Sequence, residues 1–321
     1  MNVKNRKVLK NTGERRKEEK VHKPVLVNEV IDGFSPQVHL NKQAQIVDAT
    51  LGSGGHTIRL LKEGVRVIGI DDDESVIGVA EDEIIKACPF LKDSFQKYIT
   101  LIQGNFKDID TILKGVGIES VNGVLIDLGV NSMQLKSLKR GFSFENPKAP
   151  LDMRVNQTSQ SVKGSDLLNA LNEKQLMQVF EGVVGWVKAK RLVDKVIERR
   201  SETPFVSVGD FLEIVAEVFG KGGKTHYATK PFLALRMAVN SELENLEVAL
   251  PKAFEMLGIN GRLLVISFHS LEDGIVKKYF KSRESESTGR IITNKPIIPS
   301  EDEISINPRS RSAKLRIIEK I

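Results

Sequence analysis

Cysteine is almost missing from this 321-residue chain, in which Cys88 stands alone. A single thiol excludes an internal disulfide and any cysteine-rich metal centre, and the scarcity fits a reducing, cytoplasmic setting in which Cys88 is inert core. Long apolar runs are missing too. No stretch approaches the ~18 residues of a membrane helix, and no apolar segment follows the basic N-terminus, so the chain reads as one without a secretory signal or a membrane partner. Nor does one sign of charge dominate the body. The formal net charge is +6, yet residues 1–23 carry nine Lys or Arg against three Glu, and the remainder balances at 39 against 39. Residues 1–20 are expected to form a disordered basic arm, either a solvated tail or an electrostatic contact for nucleic acid.

What is present is concentrated between Ile46 and Asp73. Ile46 and Val47 open a short apolar strand that breaks at Gly52, Gly54 and Gly55, and Ile58, Leu60 and Leu61 then mark a helix ending near Gly64. A second buried strand, Val65 to Ile70, stops at three aspartates, Asp71 to Asp73. Glycines between strand and helix allow positive φ and close approach to a ligand, and an acid about 20 residues further on accepts from ribose hydroxyls. The pattern predicts a nucleoside-cofactor site. A dinucleotide fingerprint needs G-x-G-x-x-G with the pyrophosphate on the helix N-terminus. Here the loop reads G-S-G-G-H, Thr57 stands where the third glycine belongs, and Asp48 precedes the loop, where it suits an ammonium and repels a phosphate. These features favour S-adenosylmethionine over NAD. The competing reading is an ordinary βα turn that uses glycine for packing alone.

Four apolar strands alternate with helices up to residue 130, which implies an α/β fold with a parallel sheet and ligands at its carboxyl edge. A lead-in and amphipathic helix are expected over residues 22–34, a helix over Glu74–Lys86, a third strand over Tyr98–Ile102 and a fourth over 121–130. Asp48, Gly52 to His56, Asp71, Asn105, Phe106 and Asp127 would gather at the strand ends. At Asn131 the alternation stops, and a long irregular segment precedes helical patterns at Ser165–Val183, Val187–Arg200 and Val208–Phe219. A glycine-rich turn at Gly220–Gly223 closes this helical insertion. A long helical stretch from Pro231 to Leu257, with a break at Pro251, then leads to a fifth strand at 261–268, a helix over His269–Lys281 and a final strand.

These residues fall in strings that resemble the RsmH (MraW) family of bacterial ribosomal RNA methyltransferases: HKPVLVNEV, DATLGSGGH, GIDDD, GNF, IDLGVNSMQL, RGFSF, PLDMR, ALRMAVNSELE, GRLLVISFHSLED and KPIIPSEDEISINPRSRSAKLR. The resemblance implies a Rossmann-like S-adenosylmethionine-dependent methyltransferase sheet, residues 21–135 and 236–321, interrupted by a helical substrate-recognition domain, residues 136–235. It implies methylation of the exocyclic N4 amine of a decoding-centre (P-site) cytidine in 16S rRNA of the small ribosomal subunit, and it leaves a homodimer open. It puts cofactor contacts on Gly54, Gly55, His56, Asp71, Phe106, Asp127 and Gln134, to which the residue pattern itself adds Asp48 and Gly52. The chain departs from the family pattern at Asn131, at GVVGWVKAKR (182–191), at HYATK (226–230) and at Leu233, chiefly in the helical domain.

Methyl transfer to an exocyclic amine needs alignment and no metal, with acceptors that draw on the amine hydrogens. Asp127, Asn131 and Asp152 are the candidates, although they equally suit an ammonium contact, a turn cap and an arginine pair. Arg140, Phe142 and Phe144 are suited to line a pocket for an unstacked base, or to plug a core. His269, Arg309, Arg311, Lys314 and Arg316 are suited to phosphate or to a solvated edge. Two rivals are a nicotinamide-dependent oxidoreductase and a non-catalytic ribosome-assembly protein that keeps a relic cofactor site.

Overall fold

The computed structural model describes residues 24–40, 44–92, 94–130, 134, 139–220, 222 and 226–321; the basic arm and Asn131 lie outside them. Seven strands form one sheet: β1 Gln45–Asp48, β2 Arg66–Asp71, β3 Ile99–Gln103, β4 Val121–Asp127, β5 Leu257–Ser267, β6 Gly289–Ile291 and β7 Lys314–Lys320. Their order is β3-β2-β1-β4-β5-β7-β6. The first five pair in parallel, and β7 lies antiparallel to β5 and β6. Connections run outward in opposite directions from β1 and β4. That reversal opens a crevice at the carboxyl ends of these two strands, where Asp48 and Asp127 stand.

The central strands are buried on both faces, so they read as continuous apolar runs. Ile46 packs with Leu60, Phe34, Leu125 and Leu264 under α1 (Val27–Leu40), α2 (Gly55–Lys62) and α3 (Glu74–Ala87). Its neighbour Val47 points the other way, into a layer with Val124, Val265, Leu246 and Phe280. A short helix, α4 (Phe95–Tyr98), leads into β3, and α5 (Ile109–Gly115) covers the second face.

The insertion folds around a core of its own, in which Phe142, Leu151, Phe180, Leu192, Phe205, Phe211 and Phe232 meet. Its helices are α6 (Gly164–Ala170), α7 (Glu173–Val184), α8 (Trp186–Glu202), α9 (Val208–Phe219) and α10 (Thr229–Asn240). The stretch expected as one helix from Ser165 to Val183 is two, because Asn172 caps α7, accepting from the Gln175 amide at 3.0 Å. Helix α10 runs across the expected boundary at 235, and the helical core continues through Val239.

The break expected at Pro251 falls instead at Ser241, whose φ of 48° ends α10 and starts α11 (Glu242–Glu255). Asn245 Nδ2 stabilises this joint by donating to the Asn240 carbonyl at 2.9 Å. Pro251 remains inside α11 near its end, where one missing N–H is outweighed by burial of Leu246, Ala249, Leu250, Ala253 and Phe254. After β5 come α12 (Ser270–Ser285) and α13 (Glu301–Ile306). Among the described residues no helix is long and apolar enough to cross a membrane, and no cluster of His, Cys, Asp or Glu could hold a metal ion.

Candidate functional site

The loop after β1 is tied to the sheet by its own backbone. Ala49 N–H donates to Leu125 O and Leu51 N–H to Ile70 O, both at 2.9 Å. Gly52 and Gly54 then take φ of 52° and 80°, which only glycine adopts without strain. This turn aims the Gly52 amide at Asp71 Oδ2, 2.9 Å away, while the Asp73 amide reaches Asp71 Oδ1 at 3.0 Å. Burial pushes the Asp71 carboxyl up to about 6, against the pull of those two amides. Each oxygen keeps a second lone pair for a ligand.

Above the strand ends lies a cavity of about 500 Å³. Gly52, Gly55, His56, Asp71, Phe106, Asp127 and Gln134, all expected at the site, line it. Phe106 follows Asn105, whose side chain caps the turn at Lys107 and donates to Asp72 Oδ2 at 3.0 Å. Gln134 is only 4% exposed, with Nε2 donating to Asp73 Oδ2 at 3.1 Å. Burial works against ionisation of Asp73, but bonds from Ser75 and Arg140 hold its carboxyl below the ordinary value.

His56 opens α2. Its Nε2 lies 2.8 Å from the Val25 carbonyl and so carries the proton, which turns Nδ1 toward Asp127 Oδ2 at 3.7 Å. Burial pushes the Asp127 carboxyl up to about 7; His56 opposes that shift, and the Asp48 and Glu272 charges add to it. Asp127 Oδ1 is buried without a hydrogen-bond partner.

Two expected residues stand behind the wall. Gly54 is backed by Ile84, whose side chain a Cβ there would meet at 3.2 Å. Asp48 is 1% exposed and accepts from Thr57 Oγ1 at 2.7 Å. Thr57, standing where a dinucleotide site has its third glycine, thus holds the acid that precedes the loop. Burial raises the Asp48 carboxyl, and its Oδ1 has no partner.

Other candidates are spent elsewhere. Asp152 receives a two-pronged contact from Arg154, with Nε at 2.6 Å and Nη2 at 2.8 Å, and does not line the cavity. Arg140 binds Asp73 at 2.6 Å and the carbonyls of Arg154 and Val155. Phe142 belongs to the helical core, and Phe144 stacks on His226 with ring centres 4.3 Å apart. Lys314 and Arg316 pair with Asp273. His269 caps α12 beside a smaller hollow of about 280 Å³ that also takes in Arg311 and Lys314, while Arg309 reaches the main cavity.

Residue patterns did not single out the remaining wall, formed by Arg236, Asn240, Glu242 and Asn245 at the α10–α11 joint with Glu272 of α12. Its signal lay inside the string ALRMAVNSELE, where amides and acids crowd a stretch that otherwise reads as a core helix. The insertion itself contributes Val155, Gln160 and Thr229.

A family model described as the MraW methylase family matches residues 19–321. Ribosomal RNA small subunit methyltransferase H of Coprothermobacter proteolyticus is 40% identical over 301 residues, 93% of this chain and 96% of the relative. The protein of the same name from Thermotoga neapolitana is 41% identical over 306 residues, 93% and 95% of the two chains. A solved rRNA methylase from Streptococcus thermophilus covers 94% of this chain and 98% of its own at 12% identity and a TM-score of 0.43, a likeness too loose to argue from. The family match runs through the glycine loop, both cavity aspartates and the α10–α11 joint alike, and with it the chain belongs to the MraW methylase family.

Proposed function

We propose that the protein transfers a methyl group from S-adenosylmethionine to the exocyclic N4 amine of a cytidine in 16S rRNA, the P-site cytidine of the decoding centre. Membership of the family and the relatives' name, ribosomal RNA small subunit methyltransferase H, support the polymer; the atom and the nucleotide rest on the resemblance of the motifs.

The observation that carries the cofactor is Asp127. A partly buried carboxylate at the sheet's switch point, with one oxygen unpartnered, suits a cation. The amino-acid end of S-adenosylmethionine brings an ammonium, whereas a dinucleotide brings a pyrophosphate that Asp48 and Asp127 would repel. Asp71, steered by the Gly52 amide, offers lone pairs to the ribose, and Phe106 offers an apolar wall to the adenine.

Bound S-adenosylmethionine supplies a methyl group activated by its sulfonium. This chain's residues supply position: Asp127 and Asp71 fix the two ends of the cofactor, and Leu128, Val130 and Phe268 keep the intervening space apolar. The accepting nitrogen forms one bond to carbon and gives up one proton, so an acceptor on its N–H keeps the lone pair available. Asp127, at the β4 end, and Asn131 are the candidates, while Asp152 serves only by leaving Arg154. Calorimetric titration tests the cofactor: S-adenosylmethionine binds and NAD does not, and tight binding of NAD alone overturns the reading.

A further inference from the structure

The α10–α11 joint puts a partly buried ion pair into the cavity wall. Arg236 Nε and Nη2 donate to Glu242 Oε1 and Oε2 at 2.7 and 2.8 Å, and each side chain is 16% exposed. The left-handed turn at Ser241 brings the two together across six residues. Asn240 locks the turn from behind, accepting from the Val155 amide and donating to the carbonyls of Met153 and Arg236. A pair drawn partly out of water adds little net stability over an apolar replacement, so its place on the wall calls for a further role.

The polar groups around it are largely spent. Both N–H groups of the Asn240 amide are used, Gln160 bonds Asn156 and Val239, and Glu272 is held by the amides of Phe268 and His269. Arg236 differs: it lines the cavity, and its Nη1 bonds no described residue. Nη2 keeps a second N–H, and each Glu242 oxygen keeps a lone pair. The second N–H of Nη2 runs parallel to an N–H of Nη1, so the free end of the guanidinium presents two donors side by side.

We propose that Arg236, held in place by Glu242, reads the Watson–Crick edge of the acceptor cytosine, its free N–H groups donating to N3 and O2. This rests on the functional reading above. Cytosine presents N3 and O2 as adjacent acceptors, the complement of the two donors. Uracil turns an N–H to Arg236, and adenine lacks the second acceptor. Both mismatches leave an N–H of Arg236 unpaired, which is where polar sites gain their largest discrimination.

The experiment pairs changes in protein and substrate. Small subunits are reconstituted with cytidine or 3-deazacytidine, which lacks the N3 acceptor, at the position the wild type methylates. Wild type, Arg236→Lys and Arg236→Met are compared by kcat/KM, with S-adenosylmethionine affinity measured alongside. The analogue should cost the wild type about 10- to 100-fold, the size of one hydrogen bond from a charged donor. Arg236→Met should lose a similar factor on cytidine with cofactor affinity unchanged, and should no longer distinguish the two substrates; Arg236→Lys should fall between. Equal rates of the wild type on both substrates, or losses that simply multiply, overturn the proposal, and the wild-type arm decides this even if a variant does not fold. Absence of any methylation by a wild type that binds S-adenosylmethionine overturns the functional reading, and this proposal with it.

Discussion

Nδ1 of His56 stands 3.7 Å from Oδ2 of Asp127, while the other nitrogen of the ring is committed to the Val25 carbonyl. The segment before α1 therefore chooses the tautomer. With Nε2 committed, Nδ1 is the ring atom that faces the carboxylate at the cavity wall.

Asp127 makes ligand-free stability depend on pH. Its folded value, about 7, lies above the ordinary 3.8. The stabilising contribution is therefore that of the protonated form, fully present below about pH 4 and lost as pH rises through about 7. Asp127→Asn should unfold later than the wild type at pH 8, by up to ~4 kcal/mol, and the gap should close at pH 4. The same variant should bind S-adenosylmethionine more weakly and without the gain in affinity that the wild type shows as pH rises through about 7. Melting curves and titrations at the two pH values check both; an equal gap at both would disprove the assignment.

Asp71→Ala should weaken S-adenosylmethionine binding at least tenfold, ~1.4 kcal/mol, the loss expected for hydrogen bonds to a charged acceptor. The Gly52 amide loses its partner as well, so the loop should exchange its amide hydrogens faster. Calorimetry that returns wild-type affinity from a folded variant rules the ribose role out.

Asn240→Ala should destabilise the protein by ~3 kcal/mol, because it strands the partly buried Val155 amide and the buried Met153 carbonyl at the joint between sheet and insertion. Urea unfolding measures this. A change below ~0.5 kcal/mol would mean that water or a neighbour replaces the amide, as at an ordinary surface position.

Much of the site was legible because its signals are local. The break from Val47 into three glycines, and from Ile70 into three aspartates, marks strand ends in any parallel sheet, and the cavity lies there. Asp152 was ambiguous for a physical reason: its neighbour two positions on, Arg154, satisfies it within the loop, and no spacing rule separates such a pair from a catalytic acid. The α10–α11 wall was hidden because Ser241 carries no glycine or proline to announce a left-handed residue, whereas Pro251 announces a break that helix packing overrides. Thr57 stands in the sequence where a third glycine would be, but its bond to buried Asp48 depends on how β1 and α2 are stacked.

The most direct test of the central claim is the product. Purified protein, labelled S-adenosylmethionine and small ribosomal subunits lacking the modification are incubated, and the rRNA is digested and analysed by mass spectrometry. The account predicts N4-methylcytidine at one decoding-centre position. Label on a ring carbon or a ribose hydroxyl, or no label from a protein that binds the cofactor tightly, would contradict it.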